Sequence, residues 1–307
     1  VLAVVLVAAQ GATAVRVRVV GVESARDRAR LNDALCRYDE QMAASCEPYP
    51  LGEHDSFRLR HGPDYFAFFQ RMTCVGGDDA INFRACLDAT RSVVGSGCGV
   101  LRRVPANWRW PEVLDDAWYV CDLRVTKAHR GERLAARMLL GTVAPSYWRC
   151  RRAFGITMET DQRGKVGRLA ARVHAGPVHF TEVCRLLLYS LDAKQMRAAA
   201  PHLIAARGPL CYRSLRGVKD LVLTSSGQPM PLLHVNFRRF DRTLAPSVHG
   251  SSSAAPEEGH THMFCLPAHE PLVVLLEQEA IYYGAAARVF AHNMDAFDFG
   301  FVQTSEI

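Results

Sequence analysis

The chemistry-bearing residues of this 307-residue chain concentrate in one stretch, YVCDLRVTKAHRGERLAARML, residues 119–139. An apolar strand ends at Val125, a turn holds Lys127, His129, Arg130 and Gly131, and a helix pattern begins at once. A helix N-terminus offers unpaired backbone N–H groups and the positive end of its dipole. Set directly after a strand, it suits the oxygens of a phosphate group. Gly131 lets the backbone approach such a ligand without a Cβ in the way. Arg130 and Arg133 add charge suited to a pyrophosphate. Asp122, a carboxylate on the same strand, is the candidate proton acceptor. The bland alternatives are a solvated basic turn and an Asp122 that pairs with Arg124 or a loop residue.

The elements that must position these groups are legible as changes of period. Val15 to Val19 alternates apolar and basic residues, the signature of a half-buried strand. Ser24 caps a predicted helix from Ala25 to Ala44, with Leu31, Leu35, Tyr38 and Met42 on one face. Strands are expected over Tyr65 to Met72, over Arg91 to Val104 with glycines at 95, 97 and 99, over Trp118 to Val125 and over Ala153 to Glu159. Helices are expected over His129 to Ala144, with Leu134, Met138 and Leu139 on one face, and over Val166 to His174. Beyond about residue 190, Asp192 caps a helix to Ala206 and strands are expected at Leu221 to Thr224 and Leu232 to Phe237. Leu244 to Gly259 reads as a loop, Pro271 to Tyr283 as a helix, and Ala287 to His292 and Phe299 to Thr304 as strands. The class is α/β or α+β on one sheet.

Composition narrows the field. An apolar fraction of 49% and a charged fraction of 22% exclude a wholly disordered chain or a collagen-like fibre. A net charge of +6 suits an anionic ligand but is too diffuse for a nucleic-acid groove. Ten cysteines without a CxxC pair read as small buried hydrophobes in a reducing, cytoplasmic setting. Residues 1–14 form an apolar leader: VLAVVLVAA and the small residues after it have the look of a secretory signal, but lack an initiator Met and a basic start. An unstructured leader or an extra strand is the alternative. The run is too short to span a bilayer, which takes about 20 residues.

The 119–139 stretch resembles the acyl-CoA-binding motif of the GNAT acyltransferase superfamily, in which a strand ending in Val precedes Arg/Gln-x-x-Gly-x-Gly/Ala. Val125, Arg130 and Ala135 fall on that pattern, and Gly131 fills a variable position where Gly is frequent. The departure is Arg133, which stands where the family has its central Gly; an arginine with helical dihedrals would still offer its N–H. The resemblance covers residues 15–185. It implies a mixed central sheet flanked by helices over 15–190, with 191–307 as a C-terminal α/β extension. It also implies an N-acyltransferase, an N-acetyltransferase in the first instance, that moves the acyl group of acetyl-CoA or another acyl-CoA to an amine. Leu123, Val125, Arg130, Gly131, Glu132, Arg133, Leu134 and Ala135 would hold the donor, with an oxyanion held by a strand N–H near Leu123 to Val125. The usual tyrosine acid of the later helix has no counterpart, since that segment offers His174 and both Tyr147 and Tyr189 lie off the pattern. A weaker likeness, at Arg37-Tyr38-Asp39-Glu40, is to long-chain N-acyl amino acid synthases, which use acyl-CoA or acyl carrier protein. The rival class is a catalytically silent module of the same fold that binds a ligand or partner. The acceptor amine is not written in the sequence; the extension would shape its site or a homodimer interface.

Other signals carry less. His260 and His262, with His249, His269, Glu258 and Cys265 nearby, match no recognised metal spacing and read as loop residues. The glycines at 95, 97 and 99 follow no βαβ pattern and predict a bulge or a close approach. No GxSxG elbow is present. Arg149, Arg151 and Arg152 read as a grip on the CoA 3′-phosphate or as a solvated turn, and Phe66-Ala67-Phe68-Phe69 as core.

Overall fold

The computed structural model describes residues 17–22, 24–45, 48–51, 55–73, 80–107, 109, 112–159, 178–243 and 252–307. Residues 1–14, the expected helix at 166–174 with His174, and the first half of the expected 244–259 loop, residues 244–251, lie outside them. The elements are β1 (Arg18–Val22), α1 (Ala25–Ser45), β2 (Tyr49–Leu51), β3 (Asp55–His61), α2 (Ala67–Met72), β4 (Ile81–Leu87), β5 (Val93–Pro105), β6 (Leu114–Val125), α3 (Leu134–Ser146), β7 (Ala153–Met158), β8 (Thr181–Leu191), α4 (Ala193–Arg207), β9 (Leu210–Arg213), β10 (Lys219–Leu223), β11 (Leu232–Phe237), β12 (Ser252–Ser253), β13 (Thr261–Pro267), α5 (Pro271–Gln278) and β14 (Ala285–His292).

Eleven strands form one sheet in the order β1-β4-β5-β6-β7-β14-β8-β13-β11-β9-β12, and β10-β3-β2 form a smaller one. The large sheet is antiparallel except at β6–β7 and β11–β13, which are parallel. The first of these exceptions is the strand–helix–strand unit β6-α3-β7, which needs a crossover because parallel neighbours cannot be joined by a tight turn. The principal hydrophobic cluster runs from α1 and α2 through the central strands to α5 and the chain end, with Leu35, Phe69, Tyr189, Leu203, Phe264 and Phe301 among its most buried members.

The structure departs from several expectations. Tyr65 to Met72 is not a strand: Tyr65 and Phe66 lie in a turn leading into α2, and the buried Tyr65, Phe66, Phe68, Phe69 and Met72 follow helical spacing. Phe299–Phe301 and Thr304–Glu306 are 3-10 turns rather than a strand, because Thr304, Ser305 and Glu306 are all buried and alternation has no outward face to serve. His262 lies on β13, fully buried, rather than in a loop. Strands β2, β3, β4, β8, β9, β12 and β13 fall outside the expected strands, β12 within the expected loop. Asp192 does cap α4, in a reciprocal capping box with Gln195, and β11 has the expected bounds.

The glycines of β5 sit beneath α3. A Cβ on Gly99 would meet Thr142 of α3 at 3.0 Å and one on Gly95 would meet Met138 of α3 at 3.4 Å, so the helix lies tight on the strand. The cross-strand register also shifts here. Cys98 faces Cys121 and Ser96 faces Arg124, which leaves Asp122 and Leu123 opposite Gly97 alone. Two residues against one is a β-bulge. Asp122 takes it up with φ +53°, a left-handed conformation that aspartate tolerates better than most residues.

Candidate active site

The parallel pairing of β6 with β7 runs through Trp118↔Ala153, Tyr119↔Phe154 and Val120↔Gly155 and stops there. Beyond Val120 the two strands separate. Gly155 makes the last contact close, for a Cβ there would meet the Val120 carbonyl at 3.0 Å. Before the bulge, Trp118 N–H donates across to Arg152 O of the β7 side at 2.9 Å. After it, Thr126 N–H donates to Val94 O of β5 at 3.0 Å. Strand N–H groups alternate sides, so those of Leu123 and Val125 face away from β5, into the opening. The bulge is what aims them there.

At the mouth of this opening the chain makes a 3-10 turn, Lys127–His129, and enters α3 only at Leu134. The helix expected from His129 is therefore five residues shorter at its start. Gly131 at φ +98° and Arg133 at φ +57° interrupt it, neither being helical. Arg133 accepts the first helical bond, from Arg137 N at 3.0 Å. The N–H groups of Leu134, Ala135 and Ala136 are thus the first-turn donors that the helix leaves unpaired. Arg130, Gly131, Glu132 and Arg133 are all exposed around them. A Cβ at Gly131 would meet nothing within 4 Å. Leu134 and Met138 turn inward and are 1% exposed.

Arg133 thus holds a left-handed conformation, not the helical one the sequence implied for it. That geometry costs a side-chain-bearing residue about 1–2 kcal/mol relative to glycine. Arg133→Gly should raise the urea midpoint by about 1 kcal/mol equivalent at unchanged slope. Arg133→Ala, which removes the charge but keeps the Cβ, should give no such gain.

Beneath the bulge lies a cluster that sequence reasoning missed. Arg124 pairs with Asp39 of α1 at 2.7 Å and with Asp122 at 2.7 Å. It also donates to the Tyr65 hydroxyl at 2.8 Å, and that hydroxyl donates to Asp122. The Ser96 hydroxyl lies 3.2 Å from Asp122. Asp39 in turn accepts from His61 N at 2.6 Å and lies 3.1 Å from His61 Nδ1. Burial works to raise the Asp39 pKa, but His61 and Arg124 overcome it and hold the carboxyl well below its ordinary value. Burial, and then the Asp122 charge, push the Tyr65 phenol well above its own. Asp122 therefore stands in an ion pair with Arg124, the alternative to a role as base. The readable signal was Asp39, a carboxylate on the same helical face as Leu35, Tyr38 and Met42.

Arg149, Arg151 and Arg152 follow the C-terminal end of α3, about 18 Å of helix from Leu134 at 1.5 Å per residue. Arg152 pairs with Asp115 at 3.1 Å and Arg151 lies over the Tyr147 ring. They do not join the 130–135 turn. Among the described residues no group of three or more His, Cys, Asp or Glu is placed to hold a metal ion, and no helix is long and apolar enough to cross a membrane.

No protein-family model and no curated protein matches this sequence. Solved structures do. A tandem GNAT protein from the clavulanic acid biosynthesis pathway superposes with a TM-score of 0.50 at 10% identity, covering 89% of this chain and 98% of its own. A GCN5-related N-acetyltransferase from Anabaena variabilis covers 90% of this chain and 73% of its own, with a TM-score of 0.43 at 8% identity. Arabidopsis thaliana NAA60, solved with a bisubstrate analogue, covers 56% and 87%, with a TM-score of 0.37 at 16% identity. At such identities the tandem protein establishes a likeness of fold, and it extends over both halves of the chain.

Proposed function

We propose that this chain, which has the GNAT fold, is an N-acyltransferase that moves an acyl group from acetyl-CoA or another acyl-CoA to an amine. One observation carries the reading: the opening between β6 and β7 has strand N–H groups on its wall and the N-terminus of α3 at its mouth. The residues fit a CoA pyrophosphate. The first-turn N–H groups of Leu134 and Ala135, the bare backbone of Gly131 and the side chains of Arg130 and Arg133 would receive it. Glu132, exposed in the same turn, opposes it and would face solvent.

The N–H groups of Leu123 and Val125 would hold the thioester oxygen as charge develops on it. Placing the amine in the same cleft removes much of the entropy cost of bringing two molecules together. Asp122 enters this proposal as a positioning residue. Arg124, Tyr65 and Ser96 occupy its two oxygens, and it holds the bulge that aims the two N–H groups. The C–S bond would break as the C–N bond forms, the amine would lose its proton to solvent, and CoA would leave as the thiolate and take a proton from solvent.

Calorimetric titration with CoA, acetyl-CoA and a long-chain acyl-CoA tests the reading. Binding is expected at about the micromolar level. Arg130→Glu should weaken it by about 10–100-fold, the cost of losing one charge-assisted contact and gaining a repulsion. Preference between the two acyl donors would separate acetyl from long-chain transfer. No binding to any of them would favour the silent module of the same fold, to which Arg133 at the central glycine position already points.

A further inference from the structure

Two cysteines meet beside the bulge of β6. In the register of β5 with β6, Cys98 stands directly opposite Cys121. Both thiols are free. No other registered pair among the described residues sets cysteine against cysteine. Opposed residues of an antiparallel pair share one face of the sheet, with Cα atoms about 4.5–5.5 Å apart. A disulfide needs about 4.4–6.8 Å between them. The side chains do meet: both pack in the principal hydrophobic cluster, and the two thiols are hydrogen-bonded.

The two are not equivalent. Cys98 is 2% exposed, and burial, then the bond to Cys121, push its thiol well above the ordinary value. It stays protonated and out of reach of solutes. Cys121 is half-buried, so a small oxidant reaches it first. Susceptibility to oxidation follows exposure, and a sulfenic acid condenses with a thiol to a disulfide. Cys121 has that second thiol already in place.

The position gives such a bond a consequence. Cys98 follows Gly97 and Cys121 precedes Asp122, the residues on the two sides of the bulge. The Cβ atoms of opposed residues lie about 4.5–5.5 Å apart, whereas those of a disulfide lie about 3.8 Å apart, so the strands must draw together by about 1 Å. On one side the ladder runs on regularly through Gly99↔Val120 and Val100↔Tyr119. On the other lies the bulge, where the ladder is interrupted. The bulge takes up the movement, and with it the aim of the Leu123 N–H.

We propose that Cys98 and Cys121 form a reversible redox switch on the cleft beside β6: a hydroperoxide closes a disulfide between them and slows acyl transfer. The Cys121 sulfur takes one peroxide oxygen as the O–O bond breaks, and its proton leaves with the other oxygen as water or an alcohol. The Cys98 sulfur then attacks that of Cys121. The S–O bond breaks, and hydroxide leaves with the Cys98 proton as water. Two electrons pass from the sulfurs to the peroxide, and a dithiol reverses the bond by exchange. The disulfide is independent of the proposed function; the loss of turnover rests on it.

Treating the full chain with limiting hydrogen peroxide, alkylating the remaining thiols and mapping the peptides tests the pair. A Cys98–Cys121 cross-link is expected, removed by dithiothreitol. In Cys98→Ser, Cys121 should stop at a sulfenic acid that dimedone captures. On oxidation the amide resonances of Gly97, Asp122 and Leu123 should move more than those of Val100 and Tyr119. Turnover should fall about tenfold or more, as a misplacement of about 1 Å can cost, and recover with dithiothreitol. The variant Cys98→Ser/Cys121→Ser should keep its rate in peroxide. Oxidation of Cys121 with Cys98 left free, or a cross-link to a different cysteine, would overturn the pair. A cross-link that moves neither the three amides nor the rate would overturn the switch. A chain that forms the cross-link and moves the amides but turns over no donor would overturn the acyl-transfer reading and leave the pair standing.

Discussion

Glu306→Gln should cost about 3–5 kcal/mol of folding free energy, a large part of what holds a domain together. Both carboxylate oxygens of Glu306 are engaged by Arg102 of β5, at 2.8 and 3.1 Å. Each side chain is 1% exposed. The amide of glutamine would keep one hydrogen bond but remove the negative charge that Glu306 sets against the buried guanidinium. The Tyr119 ring, its centre 5.9 Å away, is only a weak substitute for that charge. The 3-10 turn at Thr304–Glu306 would lose its anchor, and with it the seat of Thr304 against His234. Urea unfolding reads the effect as a lowered midpoint. The double variant Arg102→Met/Glu306→Leu should recover most of the loss, because the penalty lies in the uncompensated charge rather than in the absence of the pair. A single variant within 1 kcal/mol of the parent would mean that Arg102 finds another partner.

That ion pair also marks the limit of what the sequence discloses. The 119–139 stretch is legible because its parts are adjacent: a strand, a turn with glycine and arginine, and an amphipathic helix. Each announces itself by period or by residue type. Leu134, Met138 and Leu139 fell on the buried face as their spacing implied. Arg102 and Glu306 are 204 residues apart, and nothing local to either tells that it is buried. The same holds for Arg124 and Asp39, and for Lys219, whose ammonium lies over the Phe68 ring. Strands β8 and β13 went unseen for a related reason. β13, and β8 from Leu186 to Tyr189, are buried on both faces and lack the alternation that identifies a half-exposed strand. The left-handed Arg133 was illegible for the opposite reason. Its residue type argues against the conformation, and only the turn that it closes demands it.

Arg124→Met should destabilise the chain by about 3 kcal/mol or more at neutral pH, and the deficit should shrink as pH falls. The guanidinium is the common partner of Asp39, Asp122 and the Tyr65 hydroxyl. Removing it leaves two carboxylates, 2% and 10% exposed, facing one another across a phenol. In the parent, Asp39 has a depressed pKa, so its contribution is present above the ordinary carboxylate value and is lost only as pH falls through the lower folded value. In the variant the contribution of Arg124 is gone while that of His61 stays, so the Asp39 carboxyl is held down less than in the parent. As pH falls the parent therefore loses more stabilisation than the variant, and the two stability curves converge on the acid side. A deficit independent of pH would mean that lost packing, not charge, was the cause. Asp122→Asn should be milder, about 1–3 kcal/mol, since Arg124 keeps Asp39 and the amide still accepts from Tyr65. It also separates the two roles open to Asp122. A positioning residue predicts slower turnover with an unchanged pH–rate profile, because the bulge aims the Leu123 and Val125 N–H groups less well. A base predicts that the acid limb of the profile disappears.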